Sequence, residues 1–330
     1  MPQGSILGPL LFLIYVNDMS ATVNDKVLLY ADDSGILVTG KSRADIERQL
    51  SKDLEVINTW LVNNKLSLHL GKTESILFGS KPKIRNGSNL NISCNGNTIS
   101  ATSSVKHLGA TLDQNLSGEA IDVSVIGKAN SRLKFLYRKS KFLTKQTKKL
   151  LVSSLIQCHF DYACSFWYPG LKQCLKDRLQ RTQNKLVSFV LNMDNRSHVG
   201  VEQFVYLNWL PVSKRVEQIM LCHVHKIKYG LAPDYLGEHF IPLNSVHSRN
   251  TRSNVFITQN SPSDGHVQFN ETGKFAKPRV KGFGERSFAS KGIQLWNSLP
   301  QSLRDIPKPG SFKVSVKKHL LTYSCFKSSF

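Results

Sequence analysis

Asp32 and Asp33 stand side by side between two apolar, β-prone runs, Val27-Leu28-Leu29-Tyr30-Ala31 and Ser34-Gly35-Ile36-Leu37-Val38. Aspartate is poor in strand interiors and good in turns, so the pattern predicts a hairpin that presents both carboxylates at its tip. Adjacent carboxylates repel unless protonated or bridged by a cation, and hard oxygen donors with little His or Cys nearby suit Mg²⁺ better than Zn²⁺. The same residues can equally be read as a solvated Asp-Asp turn, because turns are rich in aspartate for purely local reasons. Upstream, Gln3, Gly4 and Ser5 open a turn-prone stretch before the apolar, helix-like run that ends at Tyr15. Glycine allows close backbone approach to a ligand, and Gln offers both a donor and an acceptor to a base or sugar.

These residues need a scaffold, and the apolar periodicity supplies one. Ser42 with Asp45 has the form of a helix cap, and Ile46, Leu50, Leu54, Ile57 and Leu61 follow at helical spacing. An amphipathic helix over residues 43–62, ended by Asn63-Asn64, is expected. Strand candidates follow at Thr73–Phe78, at Leu90–Cys94 and Thr98–Ile99 across the turn Asn95-Gly96, and at Val105–Leu112. Together these make an α+β layer. After Asp113 the pattern becomes helical, with Leu171, Leu175, Leu179, Leu186 and Val190 facing inward on one helix, and another helix near Val212–Tyr229 closed by Gly230.

Charge points to a partner. The 330 residues hold 44 Lys and Arg against 23 Asp and Glu, a formal net charge of +21, which argues for a polyanion and salt-sensitive binding. No acid occurs between Asp122 and Asp161, whereas Lys128, Arg132, Lys134, Arg138, Lys139, Lys141, Lys145, Lys148 and Lys149 crowd one stretch. A merely soluble face interleaves both signs, so this run reads as a track for a phosphate backbone, with Leu133, Leu136, Leu150, Leu151 and Leu155 as its core. No apolar stretch is long enough to span a bilayer and none resembles a signal peptide, so an intracellular protein of cytoplasm or nucleus is expected, with no membrane partner. Cys158, Cys164 and Cys174 read as buried thiols of a reducing compartment. Cys222-His223-Val224-His225 lacks the second half of a zinc knuckle, so no zinc site is expected. Residues 242–281 are polar and loop-like, and Trp296 among apolar neighbours reads as a packing anchor.

Taken together, Pro2–Tyr15 and Tyr-Ala-Asp-Asp at Tyr30–Asp33 resemble the reverse transcriptase family, in the right order and at a typical interval. Gly8-Pro9-Leu10-Leu11-Phe12, then Tyr15 and Asn17-Asp18, look like the enzymes of non-LTR retrotransposons, LINE elements of the jockey and chicken-repeat type. Asn64–Leu68 with Lys72–Phe78, and Val105–Gly109 with Asp113, are similar to the family's next two blocks.

The resemblance implies an α+β fold: a partial polymerase palm of antiparallel sheet and helices over residues 1–115, followed by a mostly helical, basic thumb over 116–235. A polar linker or loop over 236–282 and a small carboxyl-terminal region over 283–330, α/β or irregular, would follow. It implies RNA-directed DNA synthesis by two-metal nucleotidyl transfer, with Mg²⁺ as cofactor and an RNA template, a DNA primer and deoxynucleotides as partners. Oligomeric state stays open. Asp32 and Asp33 would be catalytic metal ligands. Because strand alternation points neighbouring side chains apart, Asp32 is the firmer ligand, and Asp33 would bind through water or from the turn. Lys72, or else Lys65, would lie near the departing pyrophosphate. Tyr30, Leu108 and Gly109 would touch the primer, while Gln3, Gly4 and Ser5 would meet nucleotide and template. Lys72 as a solvated lysine, and Leu108-Gly109 as a bulged strand, are the plain readings beside these.

The family's palm also uses an aspartate on a strand upstream of the Pro-Gln-Gly block, and this sequence starts just before that block. The expectation is therefore a retroelement copy truncated at the amino end, with an incomplete metal site and feeble or no polymerisation by itself. The alternative is a non-catalytic basic RNA- or DNA-binding remnant. A metal-dependent nuclease would need further acids or a His base near Asp32.

Overall fold

The computed structural model describes residues 4–80, 82, 84, 90–194, 197–243 and 273–327, with 323–327 described by backbone alone. The chain divides into two compact units, Met1–Asn115 and Leu116–Phe330. The described residues mix helix with small sheets.

In the first unit, helix α1 spans Gly8–Val16 and begins with Pro in its first turn, where the fixed φ suits a helix start. Strands β1 (Lys26–Tyr30) and β2 (Asp33–Leu37) pair antiparallel. Helix α2 covers Arg43–Asn63, within a residue of the expected span. Its cap forms as the sequence implies: the Ser42 hydroxyl accepts from the Asp45 amide at 3.2 Å, satisfying one of the orphan donors of a helix start. At the far end Lys65 turns left-handed at φ +58°, and the Leu66 amide reaches back to Leu61 O at 2.8 Å, a Schellman closure in a position that usually takes Gly or Asn.

Strands β3 (Glu74–Ser75), β4 (Ile92–Cys94), β5 (Asn97–Ala101), β6 (Ser104–His107) and β7 (Ala110–Asp113) complete the unit. The expected antiparallel sheet forms only in part: among the described residues there are three small sheets, and β3 pairs parallel with β5 through Glu74↔Ser100 and Ser75↔Ala101. The Asn95-Gly96 turn, with φ of +49° and +76°, gives β5 to β4 on one edge, so β3 can join only the other edge. Leu54 of α2 packs with Leu90, Ile92, Cys94 and Ile99 as the core, each burial contributing about 1.5–3 kcal/mol.

The second unit is helical. Helices α3 (Glu119–Arg138), α4 (Lys145–Val152), α5 (Gln173–Leu191), α6 (Val212–Lys228), α7 (Phe288–Ser298) and α8 (Pro309–Lys327) are its long elements. α3 buries Val125, Ala129, Leu133 and Leu136, and α5 packs across it with Leu179 and Leu186 wholly covered. Leu150 and Leu155 are 68% and 40% exposed rather than in the core. The inward face of α4 carries Lys148 and Val152, and Ile156 continues it in the π-helical turn Ser153–Gln157, which leaves Leu150 and Leu155 on the outer side.

α6, α7 and α8 share a core in which Trp296, Phe312, Ile293 and Val316 are 0% exposed. The Trp296 indole donates to Gly273 O at 2.8 Å, so it is the packing anchor its neighbours imply. The described residues of 283–327 are mostly helical, correcting the expected α/β or irregular texture, because their apolar side chains complete the face of α6. Of the three cysteines expected to be buried, Cys164 is, while Cys158 and Cys174 are exposed. Burial pushes the Cys164 thiol up to about 12, where it is unreactive. Among the described residues no helix is long and apolar enough to cross a membrane.

Candidate functional site

The β1–β2 register pairs Tyr30 with Asp33, leaving Ala31 and Asp32 as a two-residue turn. Ala31 takes a left-handed φ of +52°, as a tight hairpin of matching twist requires, at a cost of about 1–2 kcal/mol for a residue other than glycine. Asp32 therefore sits in the turn and Asp33 begins β2. Both are exposed, and neither carboxylate has a hydrogen-bond or ion-pair partner among the described residues. Tyr30 is 65% exposed on the same tip. The hairpin is anchored from behind: Ile36 packs on the α2 core, and the 3-10 turn Asn17–Thr22 contacts α1, β1 and α2.

Two uncompensated carboxylates at one exposed tip fit a Mg²⁺ ion, which takes one or two carboxylates and leaves its other positions to water or substrate phosphate. Among the described residues no group of three or more His, Cys, Asp or Glu converges.

The remaining expected residues lie on separate elements of this unit. Gln3 falls outside the described residues. Gly4 is exposed at φ +87°, and the Ser5 hydroxyl accepts from the Gly8 amide at 3.2 Å, tying it to the start of α1. Lys72 ends an exposed 3-10 turn, Leu70–Lys72. Leu108 and Gly109 do not lie within a strand. They are the turn between β6 and β7, with φ of +46° and +79° between the paired His107 and Ala110. A bulky side chain is disfavoured in that conformation, and strain of this kind collects at functional positions.

In the second unit Lys128, Arg132, Lys134, Arg138, Lys139, Lys141 and Lys145 are exposed, and Lys149 is half-buried. Arg132 donates to the Leu155 carbonyl, which fixes its direction. Lys148 is a correction to the expected track. It is 2% exposed, donates to Ser140 Oγ at 2.6 Å and to Asn192 Oδ1, and lies over the Phe189 ring. Its stem is inward because it shares a helix face with Val152. Burial and the nearby Arg132 and Lys128 hold His159 below its ordinary value, consistent with a strongly positive surface.

The Cys222–His225 stretch is absorbed by packing. The His225 ring lies 2.7 Å from Ile306 O and stacks on Phe312 at 4.2 Å. A cluster that no local pattern announced is Arg215 with Asp161, joined by two bonds of 3.0 and 2.7 Å. The partners are 54 residues apart in sequence, beyond the reach of any spacing rule.

Residues 1–112 match the family described as reverse transcriptase (RNA-dependent DNA polymerase). The retrovirus-related Pol polyprotein from type-1 retrotransposable element R1 of Nasonia vitripennis is 26% identical over 221 residues, 64% of this chain and 65% of that protein. The RNA-directed DNA polymerase from mobile element jockey of Drosophila melanogaster is 31% identical over 125 residues, 36% of this chain and 13% of that protein. Residues 1–112 are thus similar to reverse transcriptase, and the relatives are proteins of retrotransposable and mobile elements. The chain thus spans less than two thirds of these relatives' own lengths. No solved structure matches. The match to the reverse-transcriptase family ends one residue before the last of β7, so it covers the carboxylate hairpin and the Leu108-Gly109 turn.

Proposed function

We propose that the chain is the palm and thumb part of an RNA-directed DNA polymerase, in which a primer 3′-hydroxyl attacks the α-phosphate of a deoxynucleotide and pyrophosphate leaves. The observation that carries this reading is the Tyr30–Asp33 hairpin, whose tip holds two exposed carboxylates with no partner of their own. Asp32 and Asp33 would hold Mg²⁺, which, when bound, neutralises charge on the reacting and leaving oxygens and orients the nucleophile. Their part is to fix the site where the primer hydroxyl and the nucleotide phosphates meet. Tyr30, on the same tip, supports the primer end.

Leu108 and Gly109 form a rigid turn that grips the primer strand. Lys72 offsets charge on the departing pyrophosphate or gives it a proton. Gln3, Gly4 and Ser5 lie against nucleotide and template. The exposed cations from Lys128 to Lys145 hold duplex phosphates without reading sequence. Two carboxylates are few for a two-metal centre, so a further oxygen ligand has to come from outside the described set, and this chain by itself is expected to extend primers weakly or not at all.

The test is primer extension on an RNA template with Mg²⁺, comparing this chain with a version lengthened upstream. Product from the lengthened form that disappears with Asp32→Ala supports the reading. The exposed, one-signed face of α3 favours a second reading, a basic nucleic-acid-binding remnant without chemistry. Salt-sensitive RNA binding with no product from the lengthened form would select it.

A further inference from the structure

A cleft of about 340 Å³ opens in the second unit, with α4, the π-helical turn, α6 and α8 contributing to its walls. Its charged lining is lopsided. Asp161 is the acid, and both of its oxygens are taken by Arg215, whose third nitrogen donates to Gln218 Oε1 at 3.0 Å. That leaves Lys149 and Lys317, both half-buried, with no partner of opposite charge among the described residues. Lys149 stands close enough to Lys317 for their charges to oppose each other, and partial burial weakens solvent screening between them, so an anion that completes the pair is favourable.

The rest of the wall suits an oxygen-rich ligand. Ser153 and Gln157 begin and end the π-helical turn, line the cleft and have no side-chain hydrogen bond among the described residues. π-helical turns inside helices recur at functional sites. Phe160 and Trp209 supply an apolar side, and the volume lies at the small end of ligand cavities.

We infer that this cleft binds a phosphate group of a nucleic-acid backbone, with Lys149 and Lys317 pairing its charge and Ser153 and Gln157 donating to its oxygens. Burial, then Arg215, Lys149 and Lys313, hold the Lys317 amine below its ordinary value, as expected of a cation kept among cations. The site lies wholly within residues 116–330. It deepens the reading of this unit as a nucleic-acid holder and does not depend on the carboxylate hairpin.

The test is calorimetric titration of the full chain with inorganic phosphate, followed by displacement with a short RNA. One phosphate site is expected, weakened about tenfold or more by Lys317→Gln or Lys149→Gln but less than about twofold by Lys308→Gln at an exposed position. The short RNA should displace phosphate. Because the two lysines repel in the free protein, Lys317→Gln should keep or raise the thermal midpoint in phosphate-free buffer.

The inference is overturned if the unaltered chain takes up no phosphate, if Lys317→Gln binds phosphate equally well, or if its midpoint falls. Displacement by a free nucleoside triphosphate but not by RNA would overturn the assigned source. RNA that binds the unaltered chain and the Lys149→Gln, Lys317→Gln double variant equally would sink the cleft while leaving the wider nucleic-acid reading standing.

Discussion

The two units bury their apolar side chains very differently. In the second, Trp296, Phe312, Ile293 and Val316 are 0% exposed in one helical core. In the first, α1 is apolar on every side, yet Leu10 is 55% and Ile14 65% exposed, and Leu28 on the hairpin is 46% exposed. A helix apolar all round normally sits inside a core, and a two-stranded hairpin is marginal by itself. The difference teaches that the helical unit is held by its own packing, whereas the elements that present the carboxylates have faces that nothing in the described residues covers.

The widest contrast is between Trp296→Ala and Leu10→Ala. The first removes a wholly buried indole and its bond to Gly273 O, and is expected to cost about 3–5 kcal/mol in denaturant unfolding followed at the second unit. Equal, small effects from both would break the comparison.

Next in size is Asp161→Ala, which strands the Arg215 guanidinium beside two lysines. A loss of about 1–3 kcal/mol is expected by the same measurement, tempered because both partners keep some solvent.

A pH effect sharpens the contrast further. Asp122 is wholly buried, its oxygens lack a hydrogen bond, and Arg178 stands 3.9 Å away. Burial raises its carboxyl above the ordinary value, with Arg178 pulling the other way. The folded form thus binds the proton more tightly than the unfolded one. The stability this gives is complete below the usual carboxylate value and is lost as pH rises through the raised one. Unfolding at a series of pH values should show that fall, and Asp122→Asn should flatten it while adding about 1 kcal/mol near neutrality. A slope unchanged by the substitution would contradict the burial argument.

The smallest expected effect is that of Leu10→Ala itself. With the side chain already more than half exposed, the change should stay within about 0.5 kcal/mol. A larger loss would mean that α1 is covered in solution.

Much of the local structure was legible in the sequence. α2, α5 and α6 lie close to where their apolar spacing puts them, and the Asn95-Gly96 hairpin follows from residue preference, while the carboxylate hairpin turns one residue earlier than the Asp32-Asp33 pair suggests, at Ala31-Asp32. What was not legible depends on distant partners or broken preferences. Leu108 violates the rule that keeps bulky residues out of left-handed turns, so Val105–Leu112 reads as one strand when it is two. Lys148 looks like one more surface cation until Asn192, 44 residues on, takes its charge inward. Leu150 and Leu155 look like core residues by type, yet the inward face from α4 through the π-helical turn carries Lys148, Val152 and Ile156 instead. The carboxylate tip was readable because a turn is a local event, while the cationic cleft joins elements from Lys149 to Lys317 and has no local signature.

The central claim is that Asp32 and Asp33 hold a divalent cation, and the most direct measurement places iron(II) there in the full chain. With ascorbate and peroxide, iron bound at the hairpin should cut the backbone beside Asp32, as mapped by mass spectrometry. Mg²⁺ should suppress the cut, and the double substitution Asp32→Asn, Asp33→Asn should abolish it. No cut near the hairpin, or the same cut in the substituted chain, would contradict the account.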